Sequence, residues 1–209
     1  MEKNINSNGY DYVDLELPSG TLWATCNVGA SKPSETGLYF QWGDTQGYTD
    51  EQVGFGEGKK TFLWHDYKFS IDGIPSNFIK YTTPGTMLEL EDDAAHVNMG
   101  GDWHMPTPDQ ILELITTTNT ASKWVTQDDV IGRLFTSKKD TSKSIFIPAI
   151  GYAWNGSVSN IGHCGYIWSS MLSDSRVISG QHLFFGLGGY GLYNEYGRCD
   201  GFSVRGVIG

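Results

Sequence analysis

Several residue groups in this 209-residue chain have types and spacings that could carry chemistry. Gly186-Leu187-Gly188-Gly189-Tyr190-Gly191 matches GxGxxG, the pattern that brings a backbone close to a pyrophosphate at a helix N-terminus. No helix-forming run follows it, and too few residues remain for a second strand and a ribose-binding acid, so it reads as a glycine-rich strand pair. Gly54-Phe55-Gly56-Glu57-Gly58-Lys59-Lys60 is close to a phosphate loop, but Val53 stands where its first glycine belongs and Lys60 where Ser or Thr belongs. Cys26, Cys164 and Cys199 lack CxxC spacing, and the five histidines lack HxH and HExxH spacing. There is no GxSxG elbow. Glu89, Glu91, Asp92 and Asp93 cluster ahead of Ala94-Ala95-His96-Val97, where carboxylates either bind calcium or favour a helix N-terminus. The spacing fits no calcium loop, so helix capping is expected. No catalytic residue, metal or cofactor is assigned, and a non-enzymatic role is expected.

The chemistry that remains is recognition, and it lies in residues 165–207. Leu183, Phe185 and Leu187 alternate with His182, Phe184 and Gly186, and Leu192 alternates with Gly191 and Tyr193. A period of two means β-strands, with an aliphatic and aromatic core face and a second face of mixed composition. On the second face Tyr, Phe and Arg offer contact area and cation stacking, and Ser, Gly, Asn and Asp offer adaptable polar contacts, as in paratopes. The candidate ligand-binding residues are Asp174, Arg176, His182, Phe184, Gly186, Gly191, Tyr193, Asn194, Tyr196 and Asp200. Each could equally be a solvated strand or loop residue. For Phe184, Tyr193 and Tyr196 that alternative is weaker, because clustered exposed aromatics mark interfaces.

Composition sets the limits. Lys+Arg 14 against Asp+Glu 24 gives a formal charge of −10, without the basic footprint that nucleic acid or an anionic membrane requires. No apolar run is long enough to span a bilayer, so no membrane insertion is expected. High aromatic content with Gly 27 favours a loop-rich α+β fold of short antiparallel strands over a helical bundle. One domain of 209 residues can bury its core without disulfides.

These residues need a scaffold, and its elements can be read in order. Residues 10–17 form a strand with Val13, Leu15 and Leu17 on one face; Pro18-Ser19-Gly20 turns it into a second strand over 21–28 that carries Trp23. Residues 47–86 have no sustained period and form a long irregular insertion, pinned by Phe62, Trp64, Tyr67 and Phe69. Thr107 caps a short helix with Pro108 at its first position and Gln110 closing a capping box, and Ile111, Leu112 and Ile115 make its buried stripe. Strands follow at 124–127, 133–137 and 144–150, the last an edge or bulged strand because of Pro148, with 138–143 a charged turn. A polar loop beyond Gly151-Tyr152-Ala153-Trp154-Asn155-Gly156 leads into the tail.

From Ser173 to Gly201 there is no Lys, Pro, Met or Trp, and only one Gln and one Glu. Tyr, Asp, His, Ser, Gly, Arg, Phe, Cys and Val are all reachable from a pyrimidine-ending Asn codon when only its adenines change. This segment, framed by Trp168-Ser169-Ser170 and Gly201-Phe202-Ser203-Val204-Arg205, resembles the variable region of diversity-generating-retroelement variable proteins. Residues 13–30, with Tyr39-Phe40-Gln41-Trp42-Gly43, resemble the Fibrobacter succinogenes major paralogous domain family of Bacteroidetes. Gly100-Gly101-Asp102-Trp103-His104-Met105-Pro106-Thr107 is similar to the helix start of the formylglycine-generating-enzyme branch of C-type-lectin-like folds, with His104 and Met105 where that branch has Arg and Leu. The resemblance implies a C-type-lectin-like domain over 1–209 with two helices, whose 165–207 region is diversified to bind macromolecular ligands, protein or surface glycan, on a virion or bacterial cell surface. The alternatives it leaves are a non-variable surface or adhesin domain and a formylglycine-generating-type enzyme using Cys164 and Cys199. The calcium-lectin motifs are missing, since Trp168 is followed by Ser169-Ser170.

Overall fold

The computed structural model describes residues 5–209, in an α+β fold of mostly antiparallel strands and two α-helices. The N-terminal part supplies β1 (Ile5–Ser7), β2 (Tyr10–Asp14), β3 (Leu22–Ala24) and β4 (Tyr39–Phe40). Helices α1 (Ala94–Met99) and α2 (Pro108–Ile115) follow the irregular insertion. Then come β5 (Thr120–Gln127), β6 (Val130–Ser137) and β7 (Ser144–Pro148), and the small hairpin β8 (Tyr152–Trp154) and β9 (Ser157–Ser159). The tail forms β10 (Cys164–Leu172), β11 (Gly180–Gly186), β12 (Gly189–Tyr193), β13 (Phe202–Ser203) and β14 (Val207–Ile208).

The tail is the organising element, because it enters two sheets. One has the order β12-β11-β10-β13-β4, and the other runs β1-β2-β3-β14, so the final residues close the N-terminal sheet. Between them Arg205 is fully buried and donates to the carbonyls of Ala24, Thr25 and Phe146 and to Asn27 Oδ1. A guanidinium there can satisfy four acceptors from two segments at once, which few side chains can do. The framing residues Trp168, Ser169, Phe202, Ser203, Val204 and Arg205 are all buried, so they belong to the scaffold.

Two expected strands are shorter than their pattern. β2 stops at Asp14 because Glu16 takes a left-handed backbone (φ 55°), which no ladder accommodates; Leu15 and Leu17 are nevertheless buried. The strand expected over 21–28 is regular only at Leu22–Ala24, after which Val28 bonds singly to the Val204 carbonyl. In α2 the capping box forms as expected, with Thr107 Oγ1 accepting from the Gln110 N–H. Its buried stripe is Ile111 and Leu114, and Leu112 is 44 % exposed. Two-residue turns close β5–β6 at Asp128-Asp129 and β8–β9 at Asn155-Gly156, each with both residues at positive φ, the geometry that matches strand twist.

The insertion is anchored as expected by Phe62 and Tyr67, both nearly fully buried. Lys60 is also buried, its Nζ donating to the Asp66 carbonyl and lying 3.7 Å from Asp44, so it is held inside the fold. Asp93 caps α1, accepting from the His96 and Met105 amides. The neighbouring Glu89, Glu91 and Asp92 gather around Lys80, whose Nζ lies 2.6, 2.9 and 2.6 Å from them, and Lys68 adds a pair with Asp92. The ammonium holds the central position that a cation would take.

Candidate ligand-binding face

The pairing of β10, β11 and β12 sorts side chains onto two faces. Tyr166 lies opposite Phe184, Ile167 opposite Leu183 and Trp168 opposite His182; across the next pair, His182 faces Tyr193 and Leu183 faces Leu192. Ile167, Leu183 and Phe185 turn toward α2 and the β5–β7 sheet and are fully buried. Gly165 makes this possible, since a Cβ there would stand 2.2 Å from the Phe185 ring. Leu187 does not join them: it sits at the β11–β12 turn and is 75 % exposed, because a two-residue turn has no strand face. The GxGxxG string is thus this hairpin, with Leu187-Gly188 at its tip.

The opposite face is aromatic and largely roofed over. Residues 194–201 fold back across it, tied to the preceding loop by a bridge between Ser179 and Gly197 and by the Arg198 amide donating to the Ile178 carbonyl. The Tyr196 ring packs edge-on to Tyr166 (5.1 Å), Tyr152 (5.5 Å), His182 (5.6 Å) and Phe202 (5.4 Å). Below it Phe202 stacks on Tyr166 at 4.5 Å and Trp168 at 4.1 Å. Offset and edge contacts of this kind fix ring orientations beyond what burial alone achieves.

This roof corrects three of the ten expected contact residues. His182 is fully buried beneath Tyr193 and Tyr196, Asp200 is 6 % exposed, and Gly186 is enclosed beside Cys164 where β11 ends. Alternation placed His182 and Gly186 on the second face; it carried no information about a segment folding back over that face. Of the others, Tyr193 is 40 % exposed, and Phe184, Gly191, Asn194 and Tyr196 are half-buried around it. Phe184 meets Tyr193 edge-on at 5.7 Å, and Gly191 leaves room for the Tyr193 ring, which a Cβ would approach to 2.8 Å. Arg176 is exposed in the loop beside residues 194–197. Asp174 is exposed too, but on the α2 side, where its carboxylate accepts from Gln181 Nε2.

Tyr152 and Tyr166 belong to the same cluster, although neither is among the ten candidate contact residues. The signal for Tyr152 was present: Asn155-Gly156 between short alternating runs marks a hairpin, which presents Tyr152 and Trp154 on one side.

Burial shifts the ionisation of the groups beneath the face. Burial pushes His182 down to about 4, so the imidazole is neutral at neutral pH; Nδ1 donates to the Gly180 carbonyl and Nε2 has no hydrogen-bond partner among the described residues. Burial pushes Asp200 up to about 7, against the opposing bonds from the Gly197 amide and the Cys199 thiol. The Cys164 and Cys199 thiols are free, buried and raised by burial, and un-ionised thiols are poor nucleophiles and poor metal ligands. No helix among the described residues is long and apolar enough to cross a membrane.

Comparison with protein-family models, with curated proteins and with solved structures finds no match.

Proposed function

We propose that this chain is a ligand-binding display protein of the diversity-generating-retroelement type on a C-type-lectin-like scaffold, and that its target is a protein surface. The observation that carries this reading is the half-exposed aromatic set Phe184, Tyr193, Tyr196 and Tyr152, held by a roofed and buried sheet and bordered by the adaptable residues Arg176 and Asn194. Rigid aromatics beside small polar groups give contact area at low entropic cost, the composition of protein-binding paratopes. The exposed positions are side-chain tips on a scaffold whose hydrogen bonds and packing lie beneath them, so they can change without unfolding it.

The test randomises codons 176, 193 and 194 in a displayed library and selects against two unrelated protein probes, lysozyme and serum albumin. A control library randomises 72, 74 and 76, which are exposed on the insertion. Binders are expected from the first library alone, with an unchanged melting temperature, and reverting Tyr193-type aromatics to Ala in them should weaken binding roughly tenfold, about 1.4 kcal/mol. Equal yields from both libraries, or loss of folding in the first, would refute the assignment.

A further inference from the structure

β12 is the outermost strand of its sheet, and among the described residues no strand pairs with its outer side. The two-residue turn makes Gly186 and Gly189 a hydrogen-bonded pair, so Phe184–Gly191 and His182–Tyr193 are bonded as well. Tyr190 and Leu192 therefore turn their N–H and C=O groups outward. Natural sheets guard such edges with charge, proline, bulges or shortness. β7 ends on Pro148, β5 exposes Lys123, and β4 has two residues. β12 reads Gly-Tyr-Gly-Leu-Tyr and has none of these guards.

What flanks this edge differs on its two sides. Tyr193 and Phe184 stand on the aromatic side. On the other, Leu192 borders a cleft of about 390 Å³ with Met87, Leu112, Met171, Asp109 and Asp174. Among the described residues no lysine or arginine lines that cleft.

Building on the binding reading above, we propose that the β12 edge receives an extended segment of the target protein as a sixth strand, apolar at alternate positions and carrying Lys or Arg. Main-chain bonds to Tyr190 and Leu192 supply register, while alternate side chains drop into the apolar cleft and onto the aromatic face. The Asp109 and Asp174 carboxylates favour a basic occupant. They also disfavour a second copy of this chain, which carries a formal charge of −10 and would bring the same carboxylates together.

The probe is a synthetic alternating Lys-Val peptide, compared with a version N-methylated at every residue, which keeps the charge and apolar content but has no N–H to give a ladder on either edge. The parent should bind at least tenfold tighter, slow amide exchange at Tyr190 and Leu192, and lose at least tenfold in affinity for the Leu112→Lys variant. Leu112 is 44 % exposed, so that variant keeps its fold. Equal or absent binding of the two peptides overturns the proposal, as does concentration-dependent dimerisation that protects Tyr190 and Leu192 without peptide. Library binders that depend on position 193 but ignore Leu112→Lys would sink the edge proposal and leave the face reading standing.

Discussion

Arg198→Met is expected to lower the free energy of unfolding by about 3–5 kcal/mol, the scale for stripping a buried polar network of its central group. Arg198 is fully buried, and no carboxylate pairs with it among the described residues. Its charge is tolerated because Nη1 donates to the carbonyls of Tyr81 (2.8 Å) and Val177 (3.0 Å) and Nη2 to that of Lys80 (2.9 Å). The guanidinium also lies 3.8 Å from the Phe78 ring centroid and 5.3 Å from that of Tyr67. Met matches the aliphatic stem but leaves three carbonyls without donors. The effect reaches function, because the Arg198 backbone bonds to Ile178 and Trp42 and so fixes the segment that carries Tyr196. Urea unfolding should show the loss, with Tyr fluorescence reporting a loosened roof; a change under about 1 kcal/mol would mean that water replaces the lost donors.

Asp200→Asn should stabilise the protein increasingly as pH rises from 4 to 8. In the fold the Asp200 carboxyl ionises near 7, against an ordinary 3.8. A raised value means that the folded state holds a proton the unfolded chain has released. The corresponding stability is fully present below 3.8 and is lost as pH rises through 7. The full difference is worth about 4 kcal/mol at 1.36 kcal/mol per pH unit. Asn keeps a neutral polar group of the same shape and does not titrate. His182 acts in the opposite direction, since its lowered value costs stability as pH falls from 6.5 toward 4, but it is present in both proteins and cancels in the difference. Urea midpoints of the two proteins at pH 4, 6 and 8 test this; a gap that stays constant with pH would mean that Asp200 is ionised in the fold throughout.

What was legible in the sequence was local or periodic. The α2 cap follows from Thr107, Pro108 and Gln110 alone, because their bonds span only three residues. The two faces of β11 and β12 follow from alternation, and the buried Leu183 and Phe185 match it. The three strands of the middle sheet follow from β-branched and aromatic runs. The burial of His182 and Asp200 did not follow, since it depends on residues 194–201 returning over a face that their own composition marks as open. Leu187 misled for the opposite reason: alternation continued through a turn where it had lost its meaning. Nothing local marks Arg198 and Arg205 as interior residues; three-dimensional convergence of carbonyls from distant segments makes them so.

The central claim is that the exposed part of this face is diversified for binding, and the most direct measurement is to sequence the locus and its flanking DNA across many isolates. Diversification predicts substitutions concentrated at codons 176, 184, 191, 193, 194 and 196, with Ile167, Leu183, Phe185, Phe202 and Arg205 unchanged and a near-repeat template lying beside a reverse-transcriptase gene. If the exposed codons are as fixed as the buried ones and no template lies nearby, the face does not vary and the claim fails.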